Sequence, residues 1–108
     1  MHASITVVRL TGELEIGRRD EIAGALCMSG EETGILLDFS DVSYADSTAL
    51  SQLLRFRNDA AAREVPVAVL IGNRQLARLI EYAGLREAFH IFENRASALS
   101  DLAQAASQ

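Results

Sequence analysis

Hydrophobic and polar positions follow two different periods along this chain, and the two periods predict strands and helices in turn. Residues 3–16, ASITVVRLTGELEI, are rich in β-branched side chains and predict one strand, with Gly12 marking a bulge or tight turn inside it. Residues 34–40 form a short apolar run, which is typical of a strand buried on both faces. Residues 65–71 and 88–92 predict two further strands.

Apolar residues recur at helical spacing between these strands. A weak helical pattern covers residues 17–28, and stronger patterns begin at Ser47, after residue 71 and near the C-terminus. The three stronger stripes consist of Leu50, Leu53, Leu54 and Ala61, then Leu76, Leu79, Ile80 and Ala83, then Leu99, Leu102, Ala103 and Ala106. Phe56 lies at the edge of its stripe and is expected to be half-buried. Gly84 predicts a left-handed end to the third helix, with Leu85 as the apolar contact after it.

Strands that alternate with helices over 108 residues predict an α/β fold. The length suits one domain, residues 1–108, with a single modest core. We expect a mostly parallel or mixed sheet of about four strands, with about four helices. The hydrophobic fraction of 49% and the charged fraction of 23% are those of an ordinary globular protein.

Composition and charge exclude several classes of function. A net charge of −5 argues against a nucleic-acid partner, because phosphate contacts need a basic surface. No apolar run approaches the ~20 residues of a membrane helix, so no membrane insertion is expected. The N-terminus MHASITVVRL lacks the features of a signal peptide. Cys27 is the single cysteine, which rules out a disulfide framework. These features indicate a cytoplasmic protein.

The sequence offers no enzymatic motif. His2 and His90 cannot form a metal site with the distant Cys27, and His90 is better explained as a strand residue. No glycine-rich phosphate loop is present. We therefore predict no catalytic residue, no metal and no cofactor.

Three acidic residues leave an enzymatic alternative open. Glu13 and Glu15 lie two apart in the predicted strand and share a face, as an acid pair does, although a solvated strand face is the simpler interpretation. A small enzyme built on Glu13, Glu15 or Asp38 is disfavoured, because no nucleophile, metal set or cofactor loop accompanies them.

The segment YADSTAL, residues 44–50, places polar residues where an apolar helix begins. Asp46 or Ser47 would serve as an N-cap, because a side-chain oxygen there accepts a free N–H of the first turn. The hydroxyl of Ser47 has a second use. A turn from a central parallel strand into a helix is where open α/β sheets place ligands and modified residues. The helix N-terminus also tolerates a phosphate there. Capping and modification can coexist in this segment.

Three segments together resemble the STAS domains of bacterial anti-sigma-factor antagonists. They are LTGELE at residues 10–15, ILLDFSDVSYADSTAL at 35–50 and RLIEYAGLREAFHIF at 78–92. The resemblance implies a small α/β domain that binds an anti-sigma factor with serine kinase activity, and the partner would bind the ATP and Mg²⁺. In that family the phosphoacceptor directly follows the motif aspartate, which here makes it Ser47. Thr48, beside it, is an alternative acceptor.

The resemblance also implies a partner surface around Ser47. Asp46, Thr48 and Leu50 would flank the contact, with Glu15 nearby. Ala49 stands where the family motif has glycine, so we expect its methyl group to crowd the partner. Glu15 stands where the family usually has aspartate, which moves the carboxylate by one methylene.

In this family a further strand commonly precedes the LTGEL strand, and we expect it to be missing here, because MHAS is too short to form one. An uncovered sheet edge follows, which would allow a homodimer. Both this edge and Ala49 favour the alternative function, a STAS scaffold subunit of a signalling assembly or of a membrane transporter complex, which needs no phosphate.

Overall fold

The computed structural model describes residues 5–84 and 89–106, and it confirms the predicted α/β class. The strands are β1 (Ile5–Arg9), β2 (Gly12–Leu14), β3 (Gly34–Phe39), β4 (Val42–Ala45), β5 (Val67–Ile71) and β6 (His90–Phe92). The helices are α1 (Arg19–Ala25), α2 (Ser47–Ala62), α3 (Arg74–Tyr82) and α4 (Arg95–Ala106), and a 3₁₀ turn, Ile16–Arg18, precedes α1. The MHAS segment, Leu85 and Ala88 lie outside the described residues.

The main sheet has the strand order β1-β3-β5-β6, and every neighbouring pair is parallel. Each connection between these strands leads to the next strand in the same direction across the sheet. Because such crossovers are right-handed, the connecting helices lie on one face of the sheet. The larger core therefore lies on that face, where side chains of α1, α2 and α3 pack against β3 and β5. The other face carries α4, which packs over Leu36, Ala68 and Leu70. All six residues of β3 are buried, as the apolar run predicts.

The N-terminal strand is interrupted, which corrects the prediction of one strand over residues 3–16. Gly12 has a φ of +76° and its N–H donates to the carbonyl of Asp41 over 3.0 Å. A left-handed residue turns the chain out of the main sheet, and β2 then pairs with β4 in a separate two-stranded parallel sheet. Glycine thus marks the change of sheet, and β1 is left as an edge of the four-stranded sheet.

Strand β4 is absent from the sequence-based prediction, which places Ser47 directly after the central strand. Its burial pattern is buried, exposed, exposed, buried, so it lacks the alternation by which a strand is recognised. Ser47 therefore follows a strand of the small sheet and not β3. The turn at residues 40 and 41 joins β3 to β4.

Helix α2 buries a stripe that agrees with the predicted one only in part, since Leu53 is buried while Leu50 and Leu54 are half-buried against the core. Its buried residues are Ala49, Gln52, Leu53, Phe56 and Ala60, whereas Ala61 is exposed. Phe56 is only 2% exposed, so the expectation of a half-buried position is wrong. Phe56 is buried because α2 packs between α1 and the sheet, and both of these neighbours contribute side chains to the same core.

The predictions for the later helices are mostly confirmed. Leu76 and Ile80 of α3 are buried, and Gly84 ends the helix with a φ of +72°. Leu102 of α4 is buried as predicted, while Ala103 is exposed. Within the described residues no helix has both the length and the apolar character that crossing a membrane requires.

The loop between α1 and β3 is held by one carboxylate. Glu32 accepts hydrogen bonds from the N–H groups of Ser29 and Gly30, over 2.8 and 2.9 Å, and from the Ser29 hydroxyl. The backbone bond from Ser29 is the largest of the causes that lower the pKa of Glu32, from 4.5 to about 2. The hydrogen bonds of this loop therefore stabilise the ionised form of Glu32.

We expect the stabilising effect of Glu32 to depend on pH in a defined direction. Because its pKa is lower in the folded chain, the contribution is complete above pH 4.5 and is lost as the pH falls toward about 2. Glu32→Gln should lower the unfolding midpoint at neutral pH, and the difference from wild type should vanish in acid. Glu31→Gln, which removes the same charge from the adjacent exposed residue, is the control. Equal effects of the two substitutions at neutral pH would contradict the assignment.

Candidate functional site

Ser47 is the first residue of α2, and its side chain is exposed. The N-cap is Asp46, whose backbone is extended and whose Oδ1 accepts the N–H groups of Thr48 and Ala49, over 2.9 and 3.2 Å. These bonds satisfy two of the N–H groups that a helix leaves free at its start. Of the two predicted capping residues, Asp46 alone fills the role. The Ser47 hydroxyl is therefore not needed for the cap.

Asp46 also ties α2 to the end of β2. Its Oδ2 accepts the N–H of Ile16 over 3.2 Å, and its own N–H donates to the carbonyl of Leu14 over 3.0 Å. Glu15 lies between these two residues and is exposed. The structure thus brings Glu15 beside Asp46, although β2 ends one residue before it.

The remaining predicted partner residues differ in how they are placed. Thr48 and Leu50 are half-buried, and Leu50 packs against the larger core. Ala49 is 1% exposed and belongs to that core. Successive helical residues are about 100° apart, so Ala49 faces almost opposite to the exposed Ser47. The methyl group of Ala49 therefore meets the protein's own interior, and the expectation that it crowds a partner is not supported by its position.

Two side chains at the start of α3, neither of them predicted from the sequence, hold the strand before Ser47: the N-cap residue Asn73 and Gln75. Gln75 accepts the N–H of Ala45 with Oε1 over 3.1 Å and donates to the carbonyl of Ala45 from Nε2 over 2.9 Å. Asn73 donates to the carbonyl of Val42 and caps α3 by accepting the N–H of Leu76. The two amides thus occupy hydrogen-bonding groups of β4 that its partner β2 leaves available. Asn73 carries a capping signal in the sequence, whereas nothing local distinguishes Gln75 from an ordinary helix residue.

We expect Gln75→Ala to free the backbone of Ala45. A net hydrogen bond is worth about 0.5–1.5 kcal/mol, so exchange of the Ala45 amide hydrogen should become roughly two- to tenfold faster. Hydrogen exchange followed by NMR measures this one amide. Gln75→Glu keeps the acceptor and should exchange more slowly than the alanine variant, and Arg78→Ala is the control on the same helix. If the Ala45 amide hydrogen exchanges at the wild-type rate in Gln75→Ala, the side chain of Gln75 does not hold β4.

Asp38 is separated from the other two acidic residues of the enzymatic alternative, Glu13 and Glu15. Asp38 points to the α4 face, where it accepts hydrogen bonds from Arg95 over 2.9 Å and from the Ser40 hydroxyl over 2.6 Å. Burial raises the pKa of Asp38, but the hydrogen bonds from Ser40 and Arg95 outweigh it and lower that pKa overall. Glu13 and Glu15 lie on the opposite side, at the small sheet. Asp38 is thus part of the contact that joins α4 to the sheet.

No potential metal centre is found in residues 5–84 and 89–106, where no three His, Cys, Asp or Glu side chains are grouped to hold an ion. His90 lies in β6, as predicted, and its Nδ1 is 2.6 Å from Oδ2 of Asp101 on α4. Cys27 is exposed.

Comparison with known proteins places this arrangement in a family. The family model of the STAS domain matches residues 1–98. An anti-sigma factor antagonist from Mycobacterium paratuberculosis is 19% identical with a TM-score of 0.83, over 94% of this chain and 88% of that chain. The anti-sigma factor antagonist SpoIIAA, solved in its unphosphorylated form, is 21% identical with a TM-score of 0.72, over 94% and 90%. No curated protein matches the sequence significantly. At these identities the two structures establish the fold.

Proposed function

Because this chain belongs to the STAS domain family, we propose that it is a regulatory domain that acts by binding another protein. The partner is an anti-sigma factor with serine kinase activity, which binds ATP and Mg²⁺ itself. The unphosphorylated chain holds the anti-sigma factor and so frees a sigma factor for transcription in a bacterial cytoplasm. Phosphorylation of Ser47 releases the anti-sigma factor. The chain itself performs no catalysis and needs no cofactor.

The position of Ser47 is the observation that carries this proposal. Its side chain is exposed at the start of a 16-residue helix, and the neighbouring Asp46 supplies the cap. The hydroxyl is thus accessible to a kinase, and its modification would leave the capping bonds in place. The helix N-terminus favours a negative group at this point. The two structural relatives, both anti-sigma factor antagonists, support the choice of partner.

The proposed contact surface surrounds Ser47. Asp46 and Thr48 flank the acceptor, Glu15 lies beside Asp46, and the half-buried Leu50 contributes through its exposed part. Ala49 contributes indirectly, because its buried methyl group fixes the first turn of α2 against the core.

Phosphate transfer tests the proposal directly. The chain is incubated with Mg-ATP and each anti-sigma-factor kinase of its own organism, and the modified residue is mapped by mass spectrometry. We expect phosphate on Ser47, and we expect Ser47→Ala to abolish its incorporation. Because Asp46 caps α2, Ser47→Ala should unfold at nearly the wild-type midpoint. Thr48→Ala is the matched control and should still be phosphorylated.

The outcome also separates the antagonist from the scaffold subunit. Unchanged incorporation in Ser47→Ala would move the acceptor elsewhere, with Thr48 the first to examine. Absence of transfer by every kinase of the organism would contradict the proposed switch and favour a scaffold that needs no phosphate.

A further inference from the structure

A small pocket lies beside Ser47, between the segment that follows β2 and the N-terminal half of α2. Its volume is about 230 Å³, and its walls are formed by Ile16, Arg19, Thr48, Ser51, Gln52 and Arg55. Sites for small organic ligands usually occupy about 300–1,000 Å³. The pocket is therefore sized for one or two amino-acid side chains rather than for a cofactor.

Gln52 is the unusual member of this pocket. The residue is 9% exposed, and its side-chain amide has no hydrogen-bond partner among the described residues. Among the described residues, every fully enclosed side-chain oxygen or nitrogen has a hydrogen-bond partner. The unpartnered amide of Gln52 is therefore not fully enclosed, and it reaches solvent through the pocket. Burying an amide without a partner is unfavourable. A side chain of this kind is suited to a ligand, because its amide offers a donor group and an acceptor group side by side.

The charges on the pocket walls are both positive. Arg19 and Arg55 are exposed, and neither forms an ion pair with another described residue. The neighbouring Arg18 differs, because Glu21 pairs with it over 2.7 Å. On a chain with a net charge of −5, two guanidinium groups without an ion-pair partner among the described residues form a local site for an anion.

We propose that this pocket binds an acidic peptide segment of the partner protein. A carboxylate lies between Arg19 and Arg55, and a peptide group of the segment pairs with the amide of Gln52. The side chain of Ile16, 71% exposed, covers the apolar part of the segment. The identification of the segment's source rests on the proposed function, whereas the chemistry of the pocket does not.

A peptide probe tests the pocket without any anti-sigma factor. A capped hexapeptide of alternating glutamate and alanine is titrated into isotope-labelled protein, and its glutamine counterpart serves as the neutral control. We expect saturable shifts of the Thr48 and Gln52 amides, with binding at least ~10-fold tighter for the glutamate peptide. The double variant Arg19→Gln with Arg55→Gln should lose this preference. Arg63→Gln, at the far end of α2, should retain it.

Gln52→Leu distinguishes a binding role from a structural one. If the amide is held for a ligand, leucine should leave the unfolding midpoint unchanged or raise it, while peptide binding weakens at least ~10-fold. A lowered midpoint with unchanged peptide binding would assign Gln52 to the core and contradict the proposal.

Other results would also overturn it. Equal binding of the two peptides, or binding of inorganic phosphate but of neither peptide, would exclude an acidic peptide as the occupant. Where an anti-sigma factor binds the chain, Arg55→Glu should weaken that complex at least ~10-fold and Arg63→Glu should not. Equal binding by both variants would contradict the pocket proposal and leave the proposed function standing. If the peptide binds but no anti-sigma factor does, the pocket proposal stands and the proposed function is contradicted.

Discussion

Ser47→Asp is expected to bind the anti-sigma partner at least ~10-fold more weakly than wild type, a difference of about 1.4 kcal/mol. A phosphoserine adds about −1.5 to −2 charge beside Asp46, and the aspartate variant carries part of that charge. Within the free domain the start of α2 offsets the charge by roughly 0.3–1 kcal/mol. At a closed interface the added charge must be desolvated, which is unfavourable unless the partner offers cations. A kinase must also release its product, so the modified chain should be the weaker ligand.

Titration calorimetry with the anti-sigma partner measures this difference. Ser47→Asn, which has the shape of aspartate without the charge, should bind close to wild type. Ser100→Asp adds the same charge to an exposed position of α4 and should also leave binding unchanged. The unfolding midpoint of Ser47→Asp should stay near that of wild type. Equal or tighter binding by Ser47→Asp, and by genuine phosphoprotein, would falsify the antagonist mechanism.

Gly72→Ala is expected to destabilise the fold by about 1–3 kcal/mol, because the backbone at Gly72, directly after β5, lies against the turn after β3. A Cβ atom at Gly72 would overlap the carbonyl oxygen of Ser40 and would lie 3.1 Å from its carbonyl carbon. Both atoms are backbone, so neither can move aside by rotating a side chain. The turn that would have to shift leads into β4 and so to Ser47.

Chemical denaturation measures this loss, and Gly24→Ala is the matched control. Gly24 lies within α1, where an added Cβ meets nothing within 4 Å. Alanine there should stabilise the helix by about 0.5–1 kcal/mol. Opposite signs for the two substitutions would confirm that close approach, and not glycine itself, matters at position 72. A Gly72→Ala protein as stable as wild type would show that the turn can yield.

The sequence predicted the elements whose pattern is strong and local. The continuous apolar run of β3, the helical stripe of α3 and the stop at Gly84 appear in the structure as expected. Each is produced by residues close in the chain, through burial on both faces, a 3.6-residue period or a left-handed φ. The STAS resemblance had the same origin, since its motifs are short segments in a fixed order.

Other elements have no local signature. Strand β4 has four residues and no alternation, and it forms because β2 pairs with it on one edge while Asn73 and Gln75 bind its backbone. Gly12 itself predicts a bulge or turn, but the second sheet that follows from it depends on pairing with Val42, thirty residues away. Phe56 is more buried than its place in the helical pattern predicts, because its burial depends on the packing of α2 against both α1 and the sheet.

By itself the sequence determined the α/β class, the family and the position of Ser47 at the start of a helix. Those properties follow from periodicity and from short motifs, which the chain carries in consecutive residues. Only the tertiary structure decided that Asp46 is the cap, that Ala49 faces inward and that Arg19, Gln52 and Arg55 share a pocket. The last two depend on which surfaces meet when separate elements pack, and Asp46, whose capping bonds are local, is also held in place by its bonds to Leu14 and Ile16. A side chain's exposure and hydrogen-bond partners are therefore set by residues far away in the sequence.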